Sequence, residues 1–464
     1  MSEQQAREAL LAAFGPDRVL TDPRDRMAYS YDATGEKYQC DAVFFPQTTT
    51  EVAEAVRIAH AHGIPIVARG AGTNISGGTL PVQGGLVLAM NRMNRILRID
   101  PDDHLATVQP GVPNLRLQQA LQPHGFFFAA DPSSHRVSTI GGNVAENSGG
   151  PHCLKYGVTT NHVRGLEVVL ADGEVVRIGS RAQEQPPGYD ILALLTGSEG
   201  TLAVVTEITL NILPLPPVRR TLLAVYDQLE RAAATVSAIV AARLVPASME
   251  LLDRATIACV EPFVHAGYPE DADAVLLIEV DGAAAAVERA AQRIAAIATE
   301  TGAREVRSPR DEAEQEALWL GRRSAFGAAA RLSAHVWTQD VTVPRDRLVE
   351  AVHAVQEIST RWAVPILTVA HAGDGNLHPL IPFDPQDADG VRRMKAADHE
   401  IVAACVALGG SVTGEHGVGI DKLPTLPLQY GPVELEVMQR LKAALDPEDR
   451  LNPGKAIPTA RRNV

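Results

Sequence analysis

The chain has 464 residues, of which 45% are hydrophobic and only 4% aromatic, so we expect two or three folding units packed mainly by Ala, Val and Leu. The formal net charge of −14 argues against nucleic-acid binding, because phosphate contacts need a surplus of Lys and Arg on one face. The polar start MSEQQAREAL and the lack of an apolar run of about 20 residues predict a cytoplasmic protein, at most peripheral to the inner face of the membrane.

The first predicted elements form a β-α-β opening. Helical periodicity predicts a helix over Glu3–Phe14, and a strand at 43–45 follows. A second helix is predicted to be capped by Thr50 and to end near Ala61, before a strand at 66–68. From there to about residue 212, short apolar runs alternate with glycine-rich connections, which predicts an α+β unit whose sheet is interrupted by loops large enough to hold a cofactor.

The proline-rich segment ILPLPPV is the predicted linker, because proline interrupts both helices and central strands. Beyond it the order strand, helix, strand occurs twice, which predicts a ferredoxin-like antiparallel sheet with helices on one face. The predicted members are strands at 221–225, 248–252, 274–280 and 305–307 and helices at 229–242 and 283–301. A helix at 311–331, a strand at 336–343 and, after about residue 425, an amphipathic helix and tail complete the prediction.

Three glycine-rich loops lie in the first half of the chain. The first, RGAGTNISGG, follows a predicted strand, and its successive backbone N–H groups can form a nest for a phosphate. The second comprises DPSS, STIGGN and NSGG, whose hydroxyl and amide groups suit a pyrophosphate and a flavin ring, and the third is GSEGTL. Any one of these clusters is more typical of a hairpin turn, but three in this order favour a cofactor site.

The sequence LTVAHAGDGNLH is typical of a β-hairpin that turns at Asp374-Gly375. Counting outward from that turn pairs His371 directly with His378 on one sheet face, with Cβ atoms ~5 Å apart. Further on, TGEHGVG adds the carboxylate of Glu415 and the imidazole of His416. Two histidines and one glutamate leave positions open on a divalent metal ion, as catalytic sites do. The alternative is that these are polar loop residues that cap a sheet.

The four cysteines, Cys40, Cys153, Cys259 and Cys405, lie far apart and form no CxxC pair. The chain therefore has no local motif for a zinc–thiolate site or an iron–sulfur cluster. We expect any further electron carrier to reside on a partner protein.

Together the glycine motifs resemble a known family. The series RGAGTNISGG, DPSS, STIGGNVAENSGG, HCLKYG and GSEGTLAVVTEITL is similar to the FAD-binding domain of the FAD-linked oxidases of the vanillyl-alcohol oxidase and p-cresol methylhydroxylase (PCMH) type. Including the C-terminal half, the chain most resembles the branch of glycolate oxidase FAD subunits and D-lactate and D-2-hydroxyglutarate dehydrogenases. This resemblance implies an α+β fold with a two-subdomain PCMH-type FAD-binding domain at 1–215. It also implies a ferredoxin-like cap domain with the substrate and metal site at 216–425 and a C-terminal segment at 426–464 that returns to the FAD-binding domain.

The resemblance also assigns FAD contacts. The first loop is expected to hold the pyrophosphate through Arg69, Gly70, Ala71, Gly72, Thr73, Asn74, Gly77 and Gly78. The second loop is expected to surround the flavin and pyrophosphate through Pro132, Ser133, Ser138, Thr139, Gly141, Gly142, Asn143, Asn147 and Gly149. Glu199 and Gly200 would lie by the adenosine, and Asn452 resembles a tail asparagine that returns to the flavin, although Asn before Pro is more commonly a turn former. Because the first loop lacks histidine and HCLKYG is typical of non-covalent members, we expect non-covalent FAD.

By the same resemblance, HAGDGNLH and GEHG imply metal ligands at His371, His378 and Glu415 and a catalytic base at His416. Zinc is the expected divalent metal, with iron and manganese as alternatives. Arg322 matches the family arginine that binds the substrate carboxylate. Without the resemblance, an arginine on a helix more often forms a surface salt bridge.

The expected reaction is the oxidation of a small 2-hydroxy acid, D-lactate or glycolate, to the 2-oxo acid. Phe326 and Thr338 stand where 2-hydroxyglutarate dehydrogenases carry a threonine and a lysine for the distal carboxylate, so D-2-hydroxyglutarate is the less favoured substrate. The expected electron acceptor is a quinone, a cytochrome, an electron-transferring flavoprotein or an iron–sulfur subunit, within a homodimer or a hetero-complex.

Two alternatives stay open. The chain could be an FAD subunit that is active only within a multi-subunit glycolate oxidase complex. It could also be a transferase like alkyl-dihydroxyacetone-phosphate synthase, which would need an additional histidine-rich loop and a lipid-accommodating pocket that the sequence does not show.

Overall fold

The structure is a computed structural model that describes residues 3–180 and 188–458. It is 41% helical and 22% strand, which confirms the predicted α+β class. No helix within these two ranges is long and apolar enough to cross a membrane.

The helices and strands are numbered in chain order. The α-helices are α1 (Glu3–Phe14), α2 (Pro23–Arg26), α3 (Thr49–His62), α4 (Asn114–Leu121), α5 (Ile140–Glu146), α6 (Cys153–Tyr156), α7 (Ile191–Leu195), α8 (Leu229–Ala241), α9 (Arg254–Val264), α10 (Ala284–Glu300), α11 (Glu312–Arg323), α12 (Ala325–Ala329), α13 (Leu348–Trp362), α14 (Ala388–Ala407), α15 (Leu426–Gln429) and α16 (Pro432–Leu445). The strands are β1 (Val19–Leu20), β2 (Ala42–Phe44), β3 (Ile66–Arg69), β4 (Leu86–Ala89), β5 (Ile96–Asp100), β6 (Leu105–Val108), β7 (Phe126–Phe127), β8 (Val163–Val169), β9 (Val175–Gly179), β10 (Val204–Asn211), β11 (Leu213–Pro214), β12 (Val218–Tyr226), β13 (Ser248–Asp253), β14 (Ala274–Gly282), β15 (Glu305–Arg307), β16 (His335–Thr338), β17 (Val341–Thr342), β18 (Leu367–His371) and β19 (Asn376–Phe383).

The chain divides into two compact units, each built from separate stretches of sequence. Unit 1 consists of Met1–Gly150, Gly157–Leu215 and Glu415–Val464. Unit 2 consists of Pro151–Tyr156 and Pro216–Gly414. The first unit therefore contains all three glycine-rich loops, and the second contains the histidine hairpin.

Two main sheets form the described part of unit 1. One has the strand order β1-β2-β4-β3, in which β2, β4 and β3 run parallel. The other is antiparallel and has the order β5-β6-β10-β8-β9. In the first sheet's core, Leu10 of α1 and Val56 of α3 are buried with Phe44, and Phe14 stacks on Phe44 with ring centroids 4.1 Å apart.

The helix α3 begins two residues earlier than the sequence predicted. Its N-cap is Thr48, whose side chain accepts a hydrogen bond from the Glu51 N–H while the Glu51 carboxylate accepts one from the Thr48 N–H. The prediction of Thr50 as the cap was wrong because this reciprocal arrangement needs an acid three residues after the capping hydroxyl. The helix ends at Gly63, which takes a left-handed φ of 68° that glycine adopts without strain.

A buried lysine fixes the C-terminal part of unit 1. Lys442 of α16 donates hydrogen bonds from Nζ to the carbonyl oxygens of Thr201 and Leu451, each at 2.8 Å, and forms an ion pair with Asp446. These bonds connect α16 to the third glycine loop and to the segment that precedes Asn452. The lysine thus stabilises the backbone of two segments that were predicted to contact FAD.

Replacing Lys442 by Ala is expected to lower the free energy of unfolding by about 3–5 kcal/mol, because Asp446 is left as an unpaired buried charge. The matched control is Arg440→Ala on the same helix, since Arg440 forms only an exposed pair with Glu436 and its loss should cost less than about 1 kcal/mol. Urea unfolding of both variants, followed by circular dichroism, measures the difference. Equal losses would contradict the role assigned to Lys442.

Unit 2 is organised around one antiparallel sheet of eight strands within the described residues. The order is β15-β12-β14-β13-β18-β19-β16, with β17 also paired to β19. The predicted antiparallel sheet is confirmed, and α8 and α10, the two helices of the predicted repeat, pack together on one face of it, while α11 lies on the other. On one face of β12, the Thr221 hydroxyl accepts a hydrogen bond from the ring N–H of Trp319 in α11. On the opposite face, the hydroxyl of Tyr226 donates a hydrogen bond to Thr235 of α8. Because helices cover both faces, β13 and β14 are buried along nearly their full length.

The predicted strand at 336–343 is split into β16 and β17. Both pieces pair with β19 in one continuous register, and Pro379 lies opposite the gap. The Gln339 N–H donates to the Pro379 carbonyl oxygen at 2.9 Å, but proline has no N–H to return. The same register places Asp340 opposite His378.

Candidate active site

A cleft in unit 1 lies between the glycine-rich loops. Of the residues predicted to bind FAD, those that line it are Arg69, Gly70, Gly78, Thr139, Gly141, Gly142, Glu199 and Gly200. Those that do not line it are Ala71, Gly72, Thr73, Asn74, Gly77, Pro132, Ser133, Ser138, Asn143, Asn147, Gly149 and Asn452. The cleft thus brings together residues from all three loops.

The first glycine loop is held in shape by Asn74. Its side-chain Oδ1 accepts hydrogen bonds from the N–H of Ser76 at 2.9 Å and of Gly78 at 2.7 Å. Arg69, at the end of β3, donates to the carbonyl oxygen of Tyr31 and to the hydroxyl of Thr79. Asn74 and Arg69 therefore maintain the loop that borders the cleft.

The contacts around the cleft fit a large polar cofactor. Oε2 of Glu146, a residue that lines the cleft, and the Ser138 hydroxyl and Asn143 Nδ2 of the neighbouring second loop are buried and have no hydrogen-bond partner within the described residues. Such atoms cost about 1–3 kcal/mol each unless a ligand satisfies them. A Cβ atom on Gly70 would lie 2.4 Å from the Thr139 hydroxyl, so only glycine allows this close approach. The residues present therefore fit FAD.

Asn452 connects the first and third loops. Its Nδ2 donates to the carbonyl oxygens of Gly78 at 2.8 Å and of Glu199 at 2.6 Å, and its Oδ1 accepts from Lys455 at 2.6 Å. The Glu199 carboxylate in turn accepts the backbone N–H groups of Val418 and Gly419. Asn452 therefore links two segments of unit 1 and is more than a local turn former.

The second loop also forms local caps. Asn147 ends α5 with a left-handed φ of 51°, and its Oδ1 accepts the N–H of Thr160 at 2.8 Å. The Pro132 carbonyl oxygen accepts the N–H of His135 at 2.7 Å. These bonds explain the local order of the loop, while its FAD contacts stay a prediction.

The histidine hairpin in unit 2 has a different register from the predicted one. His371 pairs with Asn376, and His378 pairs with Val369. The pairing of His371 with His378 was wrong because the loop has four residues, Ala372 to Gly375, instead of two. A shift of two residues keeps both histidines on the same sheet face. They are diagonal neighbours, with ring centroids 5.0 Å apart.

A buried carboxylate orients His371. The Nδ1 of His371 lies 2.8 and 2.9 Å from the two carboxylate oxygens of Glu250, its cross-strand neighbour on β13. Because a carboxylate only accepts hydrogen bonds, Nδ1 carries the proton and Nε2 is left as the possible ligand atom. This carboxylate–histidine pair is the usual support of a histidine that binds a metal ion.

Arg322 completes the group. Its Nε donates to Glu250 at 2.6 Å, and its Nη2 lies 3.5 Å from the Nδ1 of His371. Although burial alone would raise the pKa of Glu250, the charges and hydrogen bonds of His371 and Arg322 lower it to about 2. Arg322 is therefore a buried partner of Glu250, and the alternative of a surface salt bridge was wrong.

Asp340 lies near the second histidine. Its Oδ1 lies 3.7 Å from the Nδ1 of His378. Its Oδ2 accepts hydrogen bonds from the hydroxyl of Thr413 and the N–H of Gly414, each at 2.7 Å. Gly414 is the last residue of unit 2, and the predicted ligand Glu415 and base His416 follow it directly in the chain as part of unit 1.

The donor set of unit 2 fits a divalent metal ion. A ring nitrogen of His371 and one of His378 lie within 4.8 Å of each other, and both side chains are buried. Imidazole nitrogens backed by carboxylates suit zinc, iron and manganese. The arrangement can therefore hold an ion through two histidines.

Sequence reasoning missed Glu250 and Asp340. Each was visible as an acid inside a run of strand-forming residues, SMELL and TQDVTV. An acid at such a position is rarely buried without a partner, and that is the signal that could have found both.

Comparisons with known proteins agree with these features. Residues 40–179 match the family described as FAD binding domain, and residues 215–456 match FAD linked oxidases, C-terminal domain. The chain is 45% identical to the glycolate oxidase subunit GlcD of Bacillus subtilis, over 100% of this chain and 99% of that protein. It is 30% identical to a D-lactate dehydrogenase of Anaerostipes hadrus, over 95% of this chain and 94% of that protein.

The fold has a solved counterpart. The structure of p-cresol methylhydroxylase with substrate bound superposes with a TM-score of 0.83 at 18% identity and covers 99% of this chain and 98% of that one. This likeness confirms the predicted PCMH-type fold. With matches of this length in both halves, the chain belongs to the family of FAD-linked oxidases and is an FAD-dependent oxidoreductase.

Proposed function

We propose that this protein oxidises a small 2-hydroxy acid, glycolate or D-lactate, to the corresponding 2-oxo acid. The observation that carries the proposal is the pair His371 and His378 on one sheet face, with Glu250 and Arg322 behind His371. The names of the relatives, a glycolate oxidase subunit and a D-lactate dehydrogenase, support the same substrate class.

We assign FAD to the glycine-loop residues predicted above, in a domain formed by 1–215 and 426–464. Residues 216–425 would form the substrate domain. FAD, when bound, supplies the acceptor for the hydride from the substrate carbon. The protein's part is to hold the cofactor non-covalently through backbone N–H groups, hydroxyls and amides of the three loops.

For the substrate we assign His371, His378 and Glu415 as ligands of a divalent metal, with zinc as the first choice. Such an ion, when bound, lowers the pKa of a coordinated hydroxyl group. His416 would accept the hydroxyl proton as a neutral imidazole near pH 7. Asp340 anchors Thr413 and Gly414, the two residues that precede Glu415 in the chain.

Arg322 would hold the substrate carboxylate. Its Nε and Nη2 face Glu250 and His371, whereas Nη1 makes no hydrogen bond within the part of the chain that the structure describes. The remaining N–H groups can therefore serve a carboxylate while Glu250 fixes the guanidinium plane.

A panel of 2-hydroxy acids tests the substrate class. Under anaerobic conditions, glycolate or D-lactate is expected to bleach the flavin absorbance of the purified chain, and D-2-hydroxyglutarate to do so at least about tenfold more slowly. L-lactate serves as the stereochemical control. Bleaching by none of these acids, from a protein that retains FAD, would contradict the proposal.

A second candidate is a subunit that is active only within a larger glycolate oxidase complex. The name of the Bacillus subtilis relative, which calls that protein a subunit, favours it. In that case the isolated chain would still be reduced by substrate but would pass electrons to a quinone, a cytochrome, an electron-transferring flavoprotein or an iron–sulfur protein only after the partner is added. Steady-state turnover of the isolated chain separates the two candidates. Turnover with a natural acceptor and no artificial dye would favour the first candidate, and turnover only with the dye would favour the second.

A further inference from the structure

Glu146 is the last residue of α5, and its side chain lines the cleft of unit 1. We propose that Glu146 is a neutral carboxylic acid that donates a hydrogen bond to bound FAD. The proposal depends on the FAD-binding cleft and is independent of the substrate.

The first observation is the environment of the two carboxyl oxygens. The side chain of Asn74 lies beside one oxygen of Glu146, next to Gly78. The other, Oε2, is buried and has no hydrogen-bond partner within the described residues. A buried oxygen in a cofactor cleft that lacks a partner in the protein points to a partner on the ligand.

The second observation is the distribution of charge around the cleft. Asp32 lies near the cation Arg69, and Glu199 accepts two backbone N–H groups and lies near Lys455. The groups around Glu146 include the neutral side chain of Asn74 and the carboxylates of Glu199 and Asp32. Burial, and then the negative charges of Glu199 and Asp32, raise the pKa of Glu146 well above its ordinary value, with the charge of Lys455 only partly opposing them.

A neutral acid fits the chemistry of the cofactor. FAD carries a pyrophosphate with two negative charges and a ring system with several hydrogen-bond acceptors. An ionised Glu146 would repel the pyrophosphate at low effective dielectric, whereas a protonated one offers an O–H donor from Oε2. A protonated Glu146 explains both the oxygen that has no partner and the surplus of carboxylates over cations around it.

Two substitutions test the proposal through FAD affinity, measured by quenching of flavin fluorescence on titration into the deflavinated protein. Glu146→Ala is expected to raise the Kd about tenfold, because the donor is lost. Glu146→Gln keeps a neutral donor of the same shape, so its Kd should stay within about threefold of the wild-type value. Glu54→Gln is the control, since Glu54 pairs with Arg57 at the surface of α3, and its Kd should not change.

The pH dependence gives a second readout. Wild-type affinity for FAD should fall as the pH rises through the ionisation of Glu146, and the affinity of Glu146→Gln should lack this fall. Should Glu146→Ala fail to fold, the glutamine variant and its pH profile still decide the matter. An alanine variant with wild-type affinity, a glutamine variant as weak as alanine, or the same pH profile in Glu146→Gln would each overturn the proposal.

Discussion

Alanine in place of His371 is expected to lower kcat/KM for the best 2-hydroxy acid at least about 1,000-fold, while FAD stays bound. The expected loss corresponds to about 4 kcal/mol of transition-state stabilisation, which is within the range of a metal centre that polarises the substrate. His378→Ala should have an effect of similar size, since both imidazoles lie on one face of the sheet. The measurement is steady-state turnover together with the metal content of each purified variant.

The matched control is His335→Ala. His335 lies on β16 of the same sheet, is exposed, and packs its ring against that of Phe383. Its replacement should leave both turnover and metal content unchanged. If His371→Ala kept wild-type turnover with a normal flavin spectrum, the catalytic role proposed for the hairpin would be wrong.

Glu250→Ala is expected to lower the free energy of unfolding strongly. The substitution leaves Arg322 as a buried cation without its partner and removes the acceptor of His371 Nδ1. Breaking such a buried pair costs about 3–5 kcal/mol. Turnover should fall as well, because loss of the carboxylate that orients a ligand histidine typically costs about 10- to 100-fold in metal affinity or activity.

A compensated variant separates the two effects of Glu250. Replacing Glu250 and Arg322 together by methionine removes both charges, and the free energy of unfolding should recover by several kcal/mol relative to Glu250→Ala. Turnover should stay low, since both the support of His371 and the carboxylate-binding arginine are lost. Glu230→Ala, which breaks only an exposed contact with His353, is the surface control and should cost less than about 1 kcal/mol. Recovery of turnover in the double variant would contradict the assigned roles.

Much of the fold could be predicted because its signals are local. The helix Glu3–Phe14 and the strand Glu305–Arg307 have the predicted bounds, since periodicity is visible within each segment. The hairpin at 367–378 was also predictable, but its loop length was not. A shift of two residues leaves the side-chain pattern unchanged, and the sequence pattern therefore could not distinguish the two registers.

The supporting residues could not be predicted because their partners are distant in sequence. Glu250 meets His371 across a pairing of β13 with β18 that joins residues 121 positions apart. Asp340 lies opposite His378 only because β16 and β17 both pair with β19. Local patterns contain no information about such strand pairings, so the acids behind the two histidines become visible only in the folded sheet.

The central claim is that His371 and His378 hold a metal ion that the oxidation of the 2-hydroxy acid requires. The most direct measurement is the anaerobic rate of flavin reduction by glycolate or D-lactate, compared in the purified protein, after removal of metal with a chelator, and after addition of Zn²⁺, Fe²⁺ or Mn²⁺. We predict that chelation lowers this rate at least about 100-fold without releasing FAD, and that one of the three ions restores it. An unchanged rate in protein shown to be free of metal would contradict the claim.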